Sequence, residues 1–288
     1  MLPRLFLCLL AATAVAPANA RQFRIAASDL LADFITEPLQ AYGEEHSMEF
    51  KVDDIGSLPA LERLRSDEID LAIIAVPEGT DVPRDEFRVF PFAYDVAVIA
   101  VNQSNPINEI SLASLGGIFG ANEESNYTTW GDLGLSGWVS RSIKTLAGQN
   151  DRSISLELFK FSVLRSGQMK STVASVKDSE LEGLLLSDAA SIAILPGLPK
   201  SEKVKSLMIS SEIDGPAFSP TDDNVHYGDY PIRLAFYVVY KERDQARALK
   251  VLRVLLNDDL AAALRGNNLV ALPDTVRRKL TMDLGLGK

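Results

Sequence analysis

The 288-residue sequence predicts an α/β fold in two lobes joined by two chain crossings. Two observations carry that reading. Apolar runs of strand length alternate with stretches of helical periodicity, the order of a parallel sheet with right-handed crossovers. The strand-rich pattern also halts at a polar, turn-forming break, Asn102-Gln103-Ser104-Asn105-Pro106, and resumes further on, as it would if the chain left one lobe and built a second.

The elements follow in order. Residues 1–20 carry one basic residue, Arg4, then an apolar run from Leu5 to Leu10 and a small-residue finish, Ala18-Asn19-Ala20. That is the pattern of a cleaved secretory signal peptide, so the mature chain is expected to begin near Arg21 and to be exported. The run is too short for the ~20 residues of a membrane-spanning helix. The only cysteine, Cys8, falls inside this segment, so the mature protein should hold no disulfide and rely on its core. Residues 23–27 read as a strand, 30–44 as a helix, 48–52 as a strand, 57–65 as a helix and 70–76 as a buried strand. After the Phe90-Pro91-Phe92 segment, residues 96–101 form another strand. Helix-like residues from Ile110, a glycine break and a turn around Trp130 come next. Residues 154–163 alternate as a strand, 168–178 read as a helix, 191–195 and 232–240 as strands, and 244–265 as a strongly helical end.

Composition removes several function classes. The formal net charge of −10 and the lack of a basic stripe argue against a nucleic-acid partner. A small anionic ligand stays open, because local donors hold such a ligand whatever the net charge. The two histidines, His46 and His226, stand far apart in polar contexts, so neither a metal site nor histidine-based catalysis is expected. No triad or phosphate-cradling loop of the P-loop type is visible, and no cofactor is implied.

Several ordered segments together resemble one family. They are Ala26-Ala27-Ser28-Asp29, Gly56-Ser57, Ile69-Asp70-Leu71-Ala72, Phe90-Pro91, Asn105-Pro106-Ile107, Ile118-Phe119-Gly120, Trp130-Gly131-Asp132-Leu133-Gly134 and Tyr230-Pro231-Ile232 with Arg233. In this order they resemble the phosphate-type periplasmic solute-binding proteins of ABC transporters. The resemblance implies a two-lobed type II periplasmic-binding-protein fold, each lobe a mainly parallel sheet flanked by helices, with a ligand cleft between the lobes that closes by a hinge. It divides the chain into a signal peptide (1–20), a first lobe (21–102 plus 231–288) and a second lobe (103–230). It implies that Trp130 packs the second lobe and does not touch ligand.

Such a cleft suits a small oxyanion, because helix N-termini supply N–H donors and a partial positive charge. Ser28, Ser57 and Ser166-Gly167 each stand before an expected helix, and Arg165 offers a planar guanidinium to an oxyanion. Each serine has a plainer reading as an N-cap, and Arg165 as a surface charge. The chain departs from the family at the acceptors. Where the family has an aspartate after the third strand, this chain reads Ile73-Ile74-Ala75-Val76-Pro77, and Ser166 directly follows Arg165 where a second acceptor is usual. Asp29 is a substitute acceptor or a helix cap. The expected ligand-binding set is therefore Ser28, Asp29, Ser57, Arg165, Ser166 and Gly167, with no catalytic residue. The expected function is that of a monomeric, non-enzymatic periplasmic receptor that captures phosphate or another oxyanion and delivers it to an inner-membrane ABC permease. A binding-protein-like interaction or signalling module with an altered cleft is the alternative.

Overall fold

The structure, a computed structural model, describes residues 22–149 and 154–286. The expected signal peptide lies outside the described residues. In chain order the elements are β1 (Phe23–Ala27), α1 (Ala32–His46), β2 (Phe50–Asp54), α2 (Ser57–Arg65), β3 (Leu71–Val76), β4 (Arg88–Val96), β5 (Val98–Asn102), β6 (Glu109–Ser111) and α3 (Leu112–Phe119). They continue with β7 (Lys144–Gln149), α4 (Ser155–Leu164), β8 (Ala174–Lys177), α5 (Asp178–Ser187), β9 (Ser191–Leu195), β10 (Val204–Ser206), β11 (Met208–Ser210) and β12 (Ala217–Phe218). The chain closes with α6 (Asp222–Tyr227), β13 (Arg233–Tyr240), α7 (Gln245–Leu255), α8 (Asp258–Gly266), β14 (Val270–Ala271) and α9 (Asp274–Asp283).

The first lobe is a six-stranded sheet in the order β14-β4-β13-β3-β1-β2, and the second is built on a five-stranded sheet in the order β10-β5-β9-β7-β8. In the first sheet β1, β2 and β3 are parallel. The chain steps from β1 outward to β2 through α1 and back past β1 to β3 through α2. Right-handed crossovers then place α1 and α2 on opposite faces. The side chains agree. Ile35 and Leu39 of α1 join Ile25, Ala27, Leu71 and Ile73 in one apolar cluster, while Ala60 and Leu64 of α2 pack with Ala26, Ala72 and Ile74 in another. Burial on both faces explains why FRIAA and LAIIAV read as nearly continuous apolar runs with no polar alternation. The same out-and-back path through β7, α4, β8, α5 and β9 places α4 and α5 on opposite faces of the second sheet.

Three sequence expectations are corrected. Residues 154–163 form helix α4 and not a strand. Their alternation also satisfies helical spacing, and burying Leu158 and Phe159 together, with Phe159 edge-on to Phe119 at 5.1 Å, is possible on a helix but not on a strand facing one core. Residues 168–178 form no helix; Ala174–Lys177 pairs in parallel with β7 as an edge strand, and the helix starts at Asp178. The helical end divides at Asn257, whose side chain accepts the Leu260 N–H at 2.7 Å and starts α8 anew.

Trp130 packs the second lobe, as expected. It is fully buried, its indole N–H donates to the Ala190 carbonyl at 3.0 Å, and Thr129 and Asp132 form a reciprocal cap around its short 3-10 turn. A Cβ on Gly131 would lie 2.6 Å from the backbone of Val139, so only glycine lets that turn close.

Candidate functional site

The two lobes meet where two strands of chain pass side by side. The outgoing pass is at Ala97, between β4 of the first sheet and β5 of the second. The sequence placed residues 98–102 with the first lobe; they pair instead with β9 and β10 of the second sheet. The return pass is at Ile232. The Ala97 N–H donates to the Ile232 carbonyl at 3.2 Å, and the buried Tyr230 hydroxyl donates to the Ala97 carbonyl at 2.8 Å. Two reciprocal bonds therefore tie the crossings into one narrow double connection.

Strand register shows what faces this connection. Val76, at the carboxyl end of β3, pairs with Ala235, which pairs with Tyr94, close to the end of β4 that runs into Ala97. In the second sheet Leu195, at the carboxyl end of β9, pairs with Val98, the first residue after the crossing, and β7 runs parallel to β9. Both sheets therefore point the carboxyl ends of their parallel strands at the same gap. The N-termini of α1, α2 and α4, which follow β1, β2 and β7, converge there from both sides. In open α/β sheets this edge is where ligands bind. Each helix start also brings first-turn N–H groups without intrahelical acceptors and the positive end of a dipole.

In the first lobe the expected residues come together. Ser28 is buried; its N–H donates to the Ile73 carbonyl at 3.0 Å, and its own carbonyl accepts the Leu31 and Ala32 N–H groups, so it fixes the turn from β1 into α1. Asp29 is exposed, and its carboxylate accepts the Leu30 N–H at 3.1 Å and the Ser28 hydroxyl at 3.2 Å. These bonds tie Asp29 to the turn ahead of α1, whose N-cap residue, Leu31, has no side-chain cap bond. The Ser57 hydroxyl accepts the Ala75 N–H at 2.8 Å and donates to the Ala75 carbonyl at 3.1 Å. It pins the start of α2 against the end of β3, in the place where the family's acceptor sequence is replaced by Ile74-Ala75-Val76.

In the second lobe the helix expected to start at Gln168 is absent. Arg165, Ser166 and Gly167 lie at the carboxyl end of α4, not before a helix. The Arg165 and Ser166 N–H groups donate to the Lys160 carbonyl and the Gly167 N–H to the Leu164 carbonyl. Their backbone donors are thus consumed in stopping the helix. Arg165 and Ser166 adopt left-handed φ angles of 49° and 65° and are exposed. A helix carboxyl end carries negative partial charge and disfavours an anion. The end of α4 that suits one is the opposite end, at the buried Ser155. Sequence reasoning missed it because Ser155 was read inside a strand; the spacing Ser155, Leu158, Phe159 and Ser162 was the available signal.

Two further groups stand at the crossings. Arg233, which pairs with Val96, donates from Nη1 to the Val225 and His226 carbonyls at 2.7 and 3.2 Å and from Nη2 to Glu78 at 3.1 Å. It also lies 5.6 Å from the Tyr94 ring. The Tyr94 hydroxyl and His226 Nδ1 are 2.8 Å apart, and burial, then the positive charge of Arg233, lowers the His226 pKa. Asp95, beside the crossing, is buried with one carboxylate oxygen accepting the Val96 N–H at 2.8 Å; burial pushes its pKa up to about 7. Among the described residues no group of three or more histidine, cysteine, aspartate or glutamate side chains could hold a metal ion, and no helix is long and apolar enough to cross a membrane.

Two α/β lobes on a double crossing, with the carboxyl ends of both sets of parallel strands turned to the gap, define a two-lobed fold with an interlobe cleft. The chain belongs to the PBP superfamily domain family, which it matches over residues 12–259. The phosphate-binding protein PstS of Pseudomonas aeruginosa is 28% identical over 213 residues, covering 68% of this chain and 64% of the relative. Protein SphX of Synechococcus elongatus is 26% identical over 204 residues, covering 67% and 60%. The matched segment thus spans just under two thirds of these relatives. Solved structures confirm the fold. A possible phosphate-binding protein from Planctomyces limnophilus superposes with a TM-score of 0.69 at 14% identity, covering 92% of this chain and 97% of its own. PstS of Borrelia burgdorferi gives 0.69 at 16% identity, covering 88% and 99%.

Proposed function

We propose that this protein is the periplasmic receptor of an ABC transporter, that it captures phosphate or a closely related oxyanion between its lobes, and that it delivers it to an inner-membrane permease without chemistry of its own. The observation that carries this reading is that α1, α2 and α4 start after β1, β2 and β7, at the edge of both sheets that the double crossing joins, so that the positive ends of three helix dipoles face the same gap. The PstS and SphX relatives support phosphate as the ligand, and the leader-like residues 1–20 support export.

The test is a thermal-shift titration of the mature protein, freed of bound anion, with phosphate, sulfate, molybdate and small carboxylates. Ligand that binds only the native state must stabilise it by mass action, by about 2.7 kcal/mol at a hundred times Kd. A saturable rise in Tm with phosphate is expected. No shift with any anion overturns the receptor reading and leaves an interaction or signalling module as the better one.

A further inference from the structure

A second hollow lies at the pole of the first lobe opposite the gap. Ala27 and Asp54 end β1 and β2 on the gap side, whereas Phe23 and Phe50 pair where the two strands begin. At that far end α7 packs against α1. Two adjoining cavities of about 340 and 300 Å³ open beside them and share His46, Met48 and Lys250. Part of the lining is apolar: Phe23, Met48, Leu249, Leu286 and the Tyr42 ring, which stacks on His46 with centroids 3.9 Å apart. The rest is cationic. Ala246, Leu249, Lys250 and Arg253 fall at i, i+3, i+4 and i+7 of α7 and so share one face. Arg247 adds a third cation, beside Lys250 in the smaller cavity.

These cations lack counter-charges. In a chain of net charge −10, α7 carries three basic residues and no acidic one. Arg247 donates from Nη1 to Asp70 at 2.9 Å and its guanidinium lies 5.0 Å from the Phe23 ring, but its buried Nη2 has no hydrogen-bond partner. The Lys250 and Arg253 side chains make no ion pair or hydrogen bond among the described residues. A buried donor without an acceptor costs stability, and like charges three residues apart weaken a helix. An anion held among the three relieves both. Glu49 is the one carboxylate lining either cavity, and Gln22 Nε2 donates to it at 2.6 Å. The carboxyl end of α1 also closes here, with its carbonyls occupied: Tyr42 accepts the His46 Nδ1–H at 3.0 Å, and Gly43 accepts the Ser47 and Met48 N–H groups. We infer that this hollow is a second binding site, separate from the interlobe gap, for an anionic amphiphile: a phosphate head on an apolar body. Arg247, Lys250 and Arg253 hold the head, and Phe23, Met48, Leu249 and Leu286 take the body. Inorganic phosphate supplies only the head and would meet cations that water screens. A phospholipid head with its first acyl carbons and a soluble alkyl phosphate share the required chemistry.

The experiment is calorimetric titration of the mature protein, and of a variant carrying both Lys250→Glu and Arg253→Glu, with hexyl phosphate, hexanol, inorganic phosphate and dihexanoyl phosphatidylglycerol below its micelle concentration. Both substituted side chains are exposed, so the variant should fold; far-UV circular dichroism checks this, and the milder pair Lys250→Gln with Arg253→Gln stands in if it does not. Hexyl phosphate should bind saturably, hexanol about tenfold or more weakly, and charge reversal should weaken hexyl phosphate by about tenfold or more. The response to inorganic phosphate should be the same in both proteins. Binding of the phosphatidylglycerol as well assigns the site to lipid, and binding of hexyl phosphate alone assigns it to soluble organic phosphates. Hexyl phosphate that binds both proteins equally sits elsewhere and overturns the inference. So does a wild type that binds neither amphiphile, or a folded variant that loses inorganic phosphate together with hexyl phosphate.

Discussion

Replacing Asp95 with asparagine should alter how stability depends on pH, and the structure sets the size of the effect. The carboxyl group is buried beside the Ala97 crossing with one internal partner, the Val96 N–H, and burial raises its pKa from 3.8 to about 7. The native state therefore holds this proton more tightly than the unfolded chain does. Stability linked to Asp95 is complete below about pH 4 and falls as pH rises towards 7, with no further loss above. A shift of about 3 units at 1.36 kcal/mol each amounts to ~4 kcal/mol by pH 8. Asparagine has the same shape and no charge to bury. It should match or fall slightly below wild type at pH 4.5, because its amide N–H groups need acceptors at ~1–3 kcal/mol, and it should exceed wild type at pH 8. Urea unfolding at pH 4.5, 6 and 8 gives the difference between the two proteins. The aspartates held below the usual carboxylate range by basic partners, such as Asp53 and Asp274, titrate in both and cancel. A difference that stays constant from pH 5 to pH 8 would refute the reasoning.

Other outcomes follow from the same geometry. Arg165→Ala and Ser166→Ala should leave phosphate affinity within about twofold of wild type by calorimetry, because both residues sit exposed at the carboxyl end of α4; a loss of tenfold would return them to the site. Ser57→Ala removes the partner of both Ala75 backbone groups and should cost ~1–3 kcal/mol in urea unfolding. Tyr230→Phe deprives the Ala97 carbonyl of the buried Tyr230 donor and should cost about 1–3 kcal/mol. It should also speed hydrogen exchange at the Ala97 N–H, since the two bonds hold the crossings together. Unchanged exchange there would show that the crossings are held by packing alone.

The first lobe was largely legible in the sequence. FRIAA and LAIIAV are short, apolar on both faces and separated by helical spacing, so type and order followed from local pattern, and Ser28 and Ser57 fell where strand gives way to helix. The second lobe was less so. ISLELFKFSV satisfies a period of 2 and a period of 3.6 almost equally, and only the neighbours, Phe119 on α3 and the faces of β7 and β9, select the helix. That one reversal left Ser166 and Gly167, expected before a helix, at the carboxyl end of α4. Arg233 and Glu78 are 155 positions apart, and nothing in either segment signals the other.

The sequence by itself determined the two-lobed α/β plan, the double crossing and the place of Ser28 and Ser57 where strand gives way to helix, because each of these is set by hydrophobic period and turn chemistry within a few residues. Only the tertiary structure decided which end of α4 faces the gap, that β5 belongs to the second sheet, and that Arg233 meets Glu78 at the crossing. Those features depend on which surfaces pack and which charges are brought together, and packing between distant segments leaves no local trace in the chain.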